Sequence, residues 1–228
     1  MAVVSAIVVA AGHGVRLGDG PRKALRTLAG RPMVEWSLEA LAAVREIEEI
    51  VLVLASEDLP GPDFRRHRVR SAVEGGEERF DSVLAGVRAV RAASEILLVH
   101  DAARPLVRTE TVRAVIAGAA RSGGAIAAVP VPDTLKRVDG SDRIVETIPR
   151  ESVWLAQTPQ AFDRAPFVEA MEAAARRGER PTDDAAVAER AGMAVLVVRG
   201  DETNLKVTAP GDFSLAERLL AARGADRP

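Results

Sequence analysis

Of the 31 lysine and arginine residues in this chain only three, Lys23, Lys136 and Lys206, are lysines. An ammonium is a compact point charge and a guanidinium a planar fork. In a chain that puts almost all of its positive charge on arginine, each lysine marks a place where the compact cation is wanted. Lys23 closes the stretch AAGHGVRLGDGPRK, in which Gly12, Gly14 and Gly18 are spaced G-x-G-x-x-x-G. That spacing misses the dinucleotide fingerprint by one residue, no G-x-x-x-x-G-K-[ST] is present, and the chain after Gly14 does not open a helix within a turn as both motifs require. A loop whose amides face inward, with Arg16 and Lys23 on its arms, can instead wrap a triphosphate.

Three further stretches carry chemistry. LLVHDAARP, residues 97–105, is an apolar run ending in His-Asp, which sets Asp101 where a carboxylate can hold Mg²⁺ against phosphate oxygens; Arg104 is placed to meet the same anion or to orient the aspartate. In GGEERFDSV, residues 75–83, paired glycines allow close backbone approach, and Ser82 offers a hydroxyl from a first helical turn. The third is dispersed: Thr134 and Lys136, then Arg150, then TNLKVTAPGD, where Lys206 and Thr208 are expected on a short strand before the last helix.

These groups need a scaffold that brings chain segments far apart in sequence to one edge. Segments 2–10, 47–55, 95–101, 124–131 and 194–200 read as strands, the first and third almost continuously apolar, as strands covered on both faces are. Segments 31–44, 80–93, 109–122, 163–178, 182–192 and 209–224 show helical spacing, with Pro32, Pro166 and Pro210 near first turns and Gly178, Gly192 and Gly224 near ends. Such alternation predicts an α/β fold, a doubly wound, mostly parallel Rossmann-like sheet with ligands at the carboxyl ends of its strands. DTLKRVDGSDRIVETI, residues 133–148, breaks the rhythm and reads as a protruding β-hairpin. An isolated two-stranded arm is marginal in water, so it is expected to pack on a second copy of the chain.

At 228 residues the chain is expected to form a single domain, 1–228, with the arm at about 132–154. A net charge of −2 argues against general binding to nucleic acid or to a membrane surface, and the absence of cysteine excludes disulfides and thiol catalysis. The apolar start is too short to span a bilayer, and a cytoplasmic location is expected.

The stretches AAGHGVRLGDGPRK, GGEERFDSV, VHDAARP, DTLK, TPQAF, TDDA and NLKVT together resemble the 2-C-methyl-D-erythritol 4-phosphate cytidylyltransferases, of the nucleotide-diphospho-sugar transferase type. They follow that family's order from residue 6 to about 213. The resemblance implies transfer of CMP from CTP to 2-C-methyl-D-erythritol 4-phosphate, with Mg²⁺, in non-mevalonate isoprenoid synthesis. It implies a CTP loop of Ala10, Ala11, Gly12, Gly14, Arg16 and Lys23, base and ribose contacts at Gly76, Asp81 and Ser82, and Asp101 as metal ligand. Arg104, Thr134, Arg150, Thr158, Thr182, Thr208 and Lys206 would face the acceptor, while Arg16, Lys23 and Lys206 would brace the phosphates in catalysis. It also implies a homodimer in which Thr134 and Arg150 serve the neighbouring site. His13 falls at a variable position; Asp184 stands where many relatives carry Glu, and Thr203, before Asn204, where many carry Asp. The rival readings are a cytidylyltransferase for another polyol phosphate such as ribitol 5-phosphate, and a nucleotide-binding protein without turnover. An NAD-type oxidoreductase is disfavoured because Glu57 and Asp58 come too late after the second strand.

Overall fold

Strand β1, Val4–Val9, alternates two sets of side chains that are both buried: Val4, Ala6 and Val8 face one side of the sheet and Ile7 the other. The same alternation runs through β4, Ile47–Leu54, and β6, Ile96–Asp101, whose alternate residues divide between two core clusters. Each fully buried Val, Ile or Leu is worth roughly 1.5–3 kcal/mol of transfer free energy. An apolar run without polar alternation is therefore the mark of a sheet with helices on both faces. The computed structural model describes residues 2–12, 21–59, 64–91 and 93–225. Gly14, Arg16, Gly18 and His13 of the glycine loop lie outside the described residues.

Past the loop, a 3-10 turn at Lys23–Leu25 leads through the short strands β2, Thr27–Leu28, and β3, Arg31–Pro32, into helix α1, Met33–Ala42. β5, Val69–Glu74, and α2, Arg79–Ala89, precede β6; α3, Thr109–Ser122, then leads to β7, Gly124–Pro130. The arm strands β8, Leu135–Val138, and β9, Ile144–Ile148, are followed by β10, Trp154–Asp163. α4, Arg164–Arg176, α5, Asp184–Arg190, β11, Leu196–Arg199, and α6, Pro210–Ala225, complete the described chain.

The central sheet has seven strands in the order β11-β7-β10-β6-β1-β4-β5. β10 runs antiparallel to both neighbours, and the other pairs are parallel. From β1 the chain builds outward to β4 and β5, then returns to place β6 on the opposite side of β1. That reversal is a topological switch point, where diverging loops at the strands' carboxyl ends leave a crevice. α1 and α3 pack in the core cluster of one face and α2, α4 and α5 in that of the other. α6 closes a smaller cluster with Leu28, Met33, Leu106 and Val207. Among the described residues no helix is long and apolar enough to cross a membrane.

Several expectations need correction. The segment bearing Lys206 and Thr208 is not a strand: it lies along residues 101–106 with a backbone bond from Val207 N to the Ala103 carbonyl, 2.8 Å. Gly178 and Gly192 do end helices with positive φ, 68° and 77°. Gly224 is the next-to-last residue of α6, as expected near a helix end. In the central sheet β5 and β10 carried no clear sequence signal, and the short β2 and β3 were not expected. The predicted hairpin is present as β8 and β9, a separate two-stranded sheet with Arg137 paired to Glu146 at 2.8 Å.

Candidate active site

β1 and β6 are in register up to Val9 and Asp101, so the residues that follow them, Ala10 to Gly12 and Asp101 to Ala103, diverge at the same level. The cleft between them is also lined by Lys23, Gly76, Arg79, Ser82 and Lys206. Eight residues singled out in the sequence thus share one site: Ala10, Ala11, Gly12, Lys23, Gly76, Ser82, Asp101 and Lys206. The glycines are needed for close approach. A Cβ on Gly75 would stand 2.5 Å from the Ala11 Cβ and 2.7 Å from the Ser82 Oγ, and one on Gly76 would collide with Asp81. Ser82 is buried, and its Oγ accepts the Gly76 N–H at 3.2 Å, which fixes the wall of the cleft.

Asp101 is the electrostatic centre. Oδ1 accepts from Arg79 Nε at 2.9 Å and Oδ2 from Lys206 Nζ at 2.6 Å. Burial pushes its carboxyl up, but the cations of Arg79 and Lys206 outweigh burial and hold it well below the usual carboxylate range. Arg79 turns its two remaining nitrogens onto Asp184, with Nη1 to Oδ1 at 3.0 Å and Nη2 to Oδ2 at 2.7 Å. Burial would lower the Arg79 guanidinium; Asp184 and Asp101 together raise it above its ordinary value. For Asp184 burial is the larger influence and pushes its carboxyl up. Sequence reasoning missed Arg79 altogether.

Among the described residues, the side chains of the remaining predicted ones do not line that cleft. Asp81 caps α2, accepting the Glu78 N–H at 3.2 Å, and pairs with Arg180 at 3.1 Å. Thr158 is buried, and its Oγ1 accepts the Asp101 N–H at 3.0 Å. Arg104 joins two chain segments through the Asn204 carbonyl, 2.9 Å, and the Ala156 carbonyl, 3.3 Å. The Thr208 hydroxyl donates to Asp212 at 3.0 Å, at the start of α6. In each case a polar side chain is occupied by backbone or by a helix end, because buried main-chain groups must find partners. Thr182 is exposed just before α5, while Thr134 and Arg150 are exposed at the base of the arm, where Arg150 donates to the Pro132 carbonyl.

His100 supports Asp101 from behind. It is fully buried; Nδ1 lies 3.0 Å from Thr158 Oγ1 and Nε2 3.2 Å from the Arg104 carbonyl. A carbonyl can only accept, so the imidazole carries its proton on Nε2, and Nδ1 accepts from the Thr158 hydroxyl. Burial is the main cause that holds His100 down to about 4, against the usual 6.5. Between those values the unfolded chain binds the extra proton, so stability falls as pH drops through that window. The loss approaches about 3 kcal/mol by pH 4. His67, also lowered chiefly by burial, adds to the slope. Urea midpoints at pH 7 and pH 4.5 should show this loss, and His100→Gln should flatten the dependence; equal midpoints for the parent would contradict it.

The fold and the cleft define a class: a doubly wound α/β protein with two lysines and a buried carboxylate lining a cleft at the sheet's switch point. The chain matches the family described as IspD, 2-C-methyl-D-erythritol 4-phosphate cytidylyltransferase, over residues 4–222. It is 40% identical over 222 residues to the 2-C-methyl-D-erythritol 4-phosphate cytidylyltransferase of Thermosynechococcus vestitus, covering 95% of each chain. It is 42% identical over 230 residues to the bifunctional enzyme IspD/IspF of Desulforudis audaxviator, covering 96% of this chain and 57% of that protein's length. The crystal structure of 2-C-methyl-D-erythritol 4-phosphate cytidylyltransferase from Thermus thermophilus superimposes with a TM-score of 0.81 at 35% identity, over 96% of this chain and 99% of that one. That of 4-diphosphocytidyl-2C-methyl-D-erythritol synthase from Anaerococcus prevotii gives 0.82 at 30% identity, with the same coverage. The chain belongs to the IspD family.

Proposed function

We propose that this chain transfers CMP from CTP to 2-C-methyl-D-erythritol 4-phosphate, releasing pyrophosphate. Family membership supports the reaction, and the observation that carries the site is the placement of Lys23, Lys206 and Asp101 around one cleft at the switch point. An oxygen of the acceptor phosphate attacks the α-phosphorus of CTP. The new P–O bond forms as the bond to the β-phosphate oxygen breaks, and pyrophosphate leaves with the electron pair. The acceptor phosphate is already ionised near neutral pH, so no general base is required. The work left to the protein is to bring two anions together and to hold the transition-state charge with preorganised cations. Lys23 and Lys206, which both line the cleft, are assigned this task, and Arg16 is assigned to it with them.

Among the described residues no three His, Cys, Asp or Glu side chains gather as a metal cage. Asp101 alone still suits Mg²⁺, a hard cation commonly held by one or two carboxylates and substrate phosphates. Bound there, it would supply neutralising charge. Asp101 would hold it, and Lys206, with a side chain 40% exposed, is the partner able to turn from Asp101 toward phosphate. The test is pyrophosphate release with each of the four nucleoside triphosphates, with methylerythritol phosphate and with ribitol 5-phosphate as acceptors. Turnover confined to CTP and methylerythritol phosphate supports the reading. Turnover with ribitol 5-phosphate alone, or with neither acceptor, overturns it.

The acceptor site is assigned to the boundary of two copies. Thr134 and Arg150 stand on the arm and do not line the cleft of their own chain. Val138, Ile144 and Val145 leave 50%, 64% and 57% of their surface exposed on it, more than an isolated hairpin in water would carry without a partner. Replacing residues 134–149 by a short turn is expected to give a monomer by light scattering that still binds CTP but releases no pyrophosphate. A truncated protein that remains dimeric, or that turns over at the parent rate, would contradict the assignment.

A further inference from the structure

We infer that Arg79, held by Asp184, is the positioning residue that orients the Asp101 carboxylate toward the cleft and ties it to the nucleotide-facing loop. This rests on the reading above and adds to it a three-point support made by residues 105 positions apart in sequence. Asp101 is bonded by two cations of unequal character. Lys206 reaches it through a single contact from a side chain 40% exposed; Arg79 reaches it from a side chain 26% exposed whose other two nitrogens are committed to Asp184. A bidentate guanidinium–carboxylate pair fixes direction as well as distance. A lone ammonium on a flexible stem does not. When phosphates enter the cleft, Lys206 is free to leave Asp101 while Arg79 holds Oδ1, so that Oδ2 is the oxygen presented to the ligand.

The support behind Arg79 is rigid. Asp184 is buried in the first turn of α5, and that turn is capped by Asp183, whose Oδ1 accepts the Ala186 N–H at 3.0 Å. Gln160 of β10 pins it further, its Oε1 accepting the Ala185 N–H at 2.9 Å and its Nε2 donating to Asp183 at 3.1 Å. Arg79 is also the first residue of α2, directly after the Gly75–Glu78 turn that walls the cleft. One side chain therefore links the wall that would face the base, the carboxylate at the end of β6 and the anchor on α5. Sequence alone shows Arg79 only as one arginine among many, and its partner lies beyond α4.

The test compares the parent with Arg79→Lys and Asp184→Asn. Lysine keeps the charge but has no planar fork to grip Asp184 with two nitrogens while a third bonds Asp101, and asparagine keeps the shape but loses the anionic grip. Partners of this kind are worth about 10–100-fold in activity or metal affinity. A fall of that size in kcat is expected for each variant, with KM for CTP changed by less than about threefold, at melting temperatures measured in parallel. Two further readouts separate positioning from mere folding. Arg79→Ala should regain turnover saturably with added methylguanidinium, and a crystal structure of Arg79→Lys without ligands should show the Asp101 carboxylate rotated from its parent orientation. An unrotated Asp101, or a kcat within threefold of the parent in Asp184→Asn, overturns the inference. Should Arg79→Lys fail to fold, Asp184→Asn and the methylguanidinium series decide. A parent with no turnover on CTP and methylerythritol phosphate defeats the underlying reading instead, and the carboxylate orientation in the crystal still judges the role of Arg79.

Discussion

Asp101→Asn is expected to lower kcat by about 10³-fold or more while leaving the fold intact, an effect on the order of 4 kcal/mol at the transition state. The size follows from what the carboxylate does. It is the one anion between Arg79 and Lys206, and it is buried, so its charge acts in a medium that screens little. Neutralising it leaves two cations facing each other and removes the buried anionic oxygen that the cleft offers a divalent ion. Asp101→Ala should do the same to activity; both variants break the buried pair from one side, at a cost of about 3–5 kcal/mol, and alanine in addition loses the packing of the side chain. Comparing the two variants by turnover and by melting temperature separates the electrostatic loss from the packing loss. A kcat for Asp101→Asn within tenfold of the parent would remove Asp101 from the chemistry.

Lys23→Ala is expected to cost about 10²–10³-fold in kcat, the scale of one positioned electrostatic group. Lys23 begins the 3-10 turn that follows the glycine loop, and it lines the same cleft as Asp101 and Lys206. Its backbone carbonyl accepts the Arg26 N–H at 3.3 Å, so the side chain is displayed from a folded turn. Lys23→Arg is the sharper experiment. A guanidinium carries the same charge with a different shape, and in a chain so rich in arginine the retention of lysine implies that shape matters. Lys23→Arg should recover only a minor part of the lost rate in a steady-state assay, and parent-level turnover by that variant would contradict the role.

What could be read from sequence divides along physical lines. β1 and β6 were legible because strands buried on both faces collect uninterrupted apolar residues. β5 was not: it is an edge strand whose Arg70 and Glu74 alternate with smaller groups. β10 hid behind Pro159, where the ladder to β7 shifts register between Ala156 and Gln160; a proline there reads as a break. The bulge nonetheless brings Thr158 to the Asp101 amide.

Lys23, Asp101 and Lys206, each singled out within a short motif, do line one cleft. The resemblance implied ligand contacts for Asp81, Thr158 and Thr208, and in the structure their side chains serve a helix cap, a strand end and a helix start. Residue type gives hydrogen-bonding capacity and leaves the partner open. The Arg79–Asp184 pair joins distant segments through the fold itself, and no spacing rule reaches that far.

The most direct measurement is a crystal structure of the protein soaked with CTP and Mg²⁺. The account predicts the triphosphate between Lys23 and Lys206, the base against the Gly75–Ser82 wall, and Lys206 moved off Asp101 with Arg79 still in place. CTP bound away from this cleft, or a cleft left empty at saturating nucleotide, would contradict it.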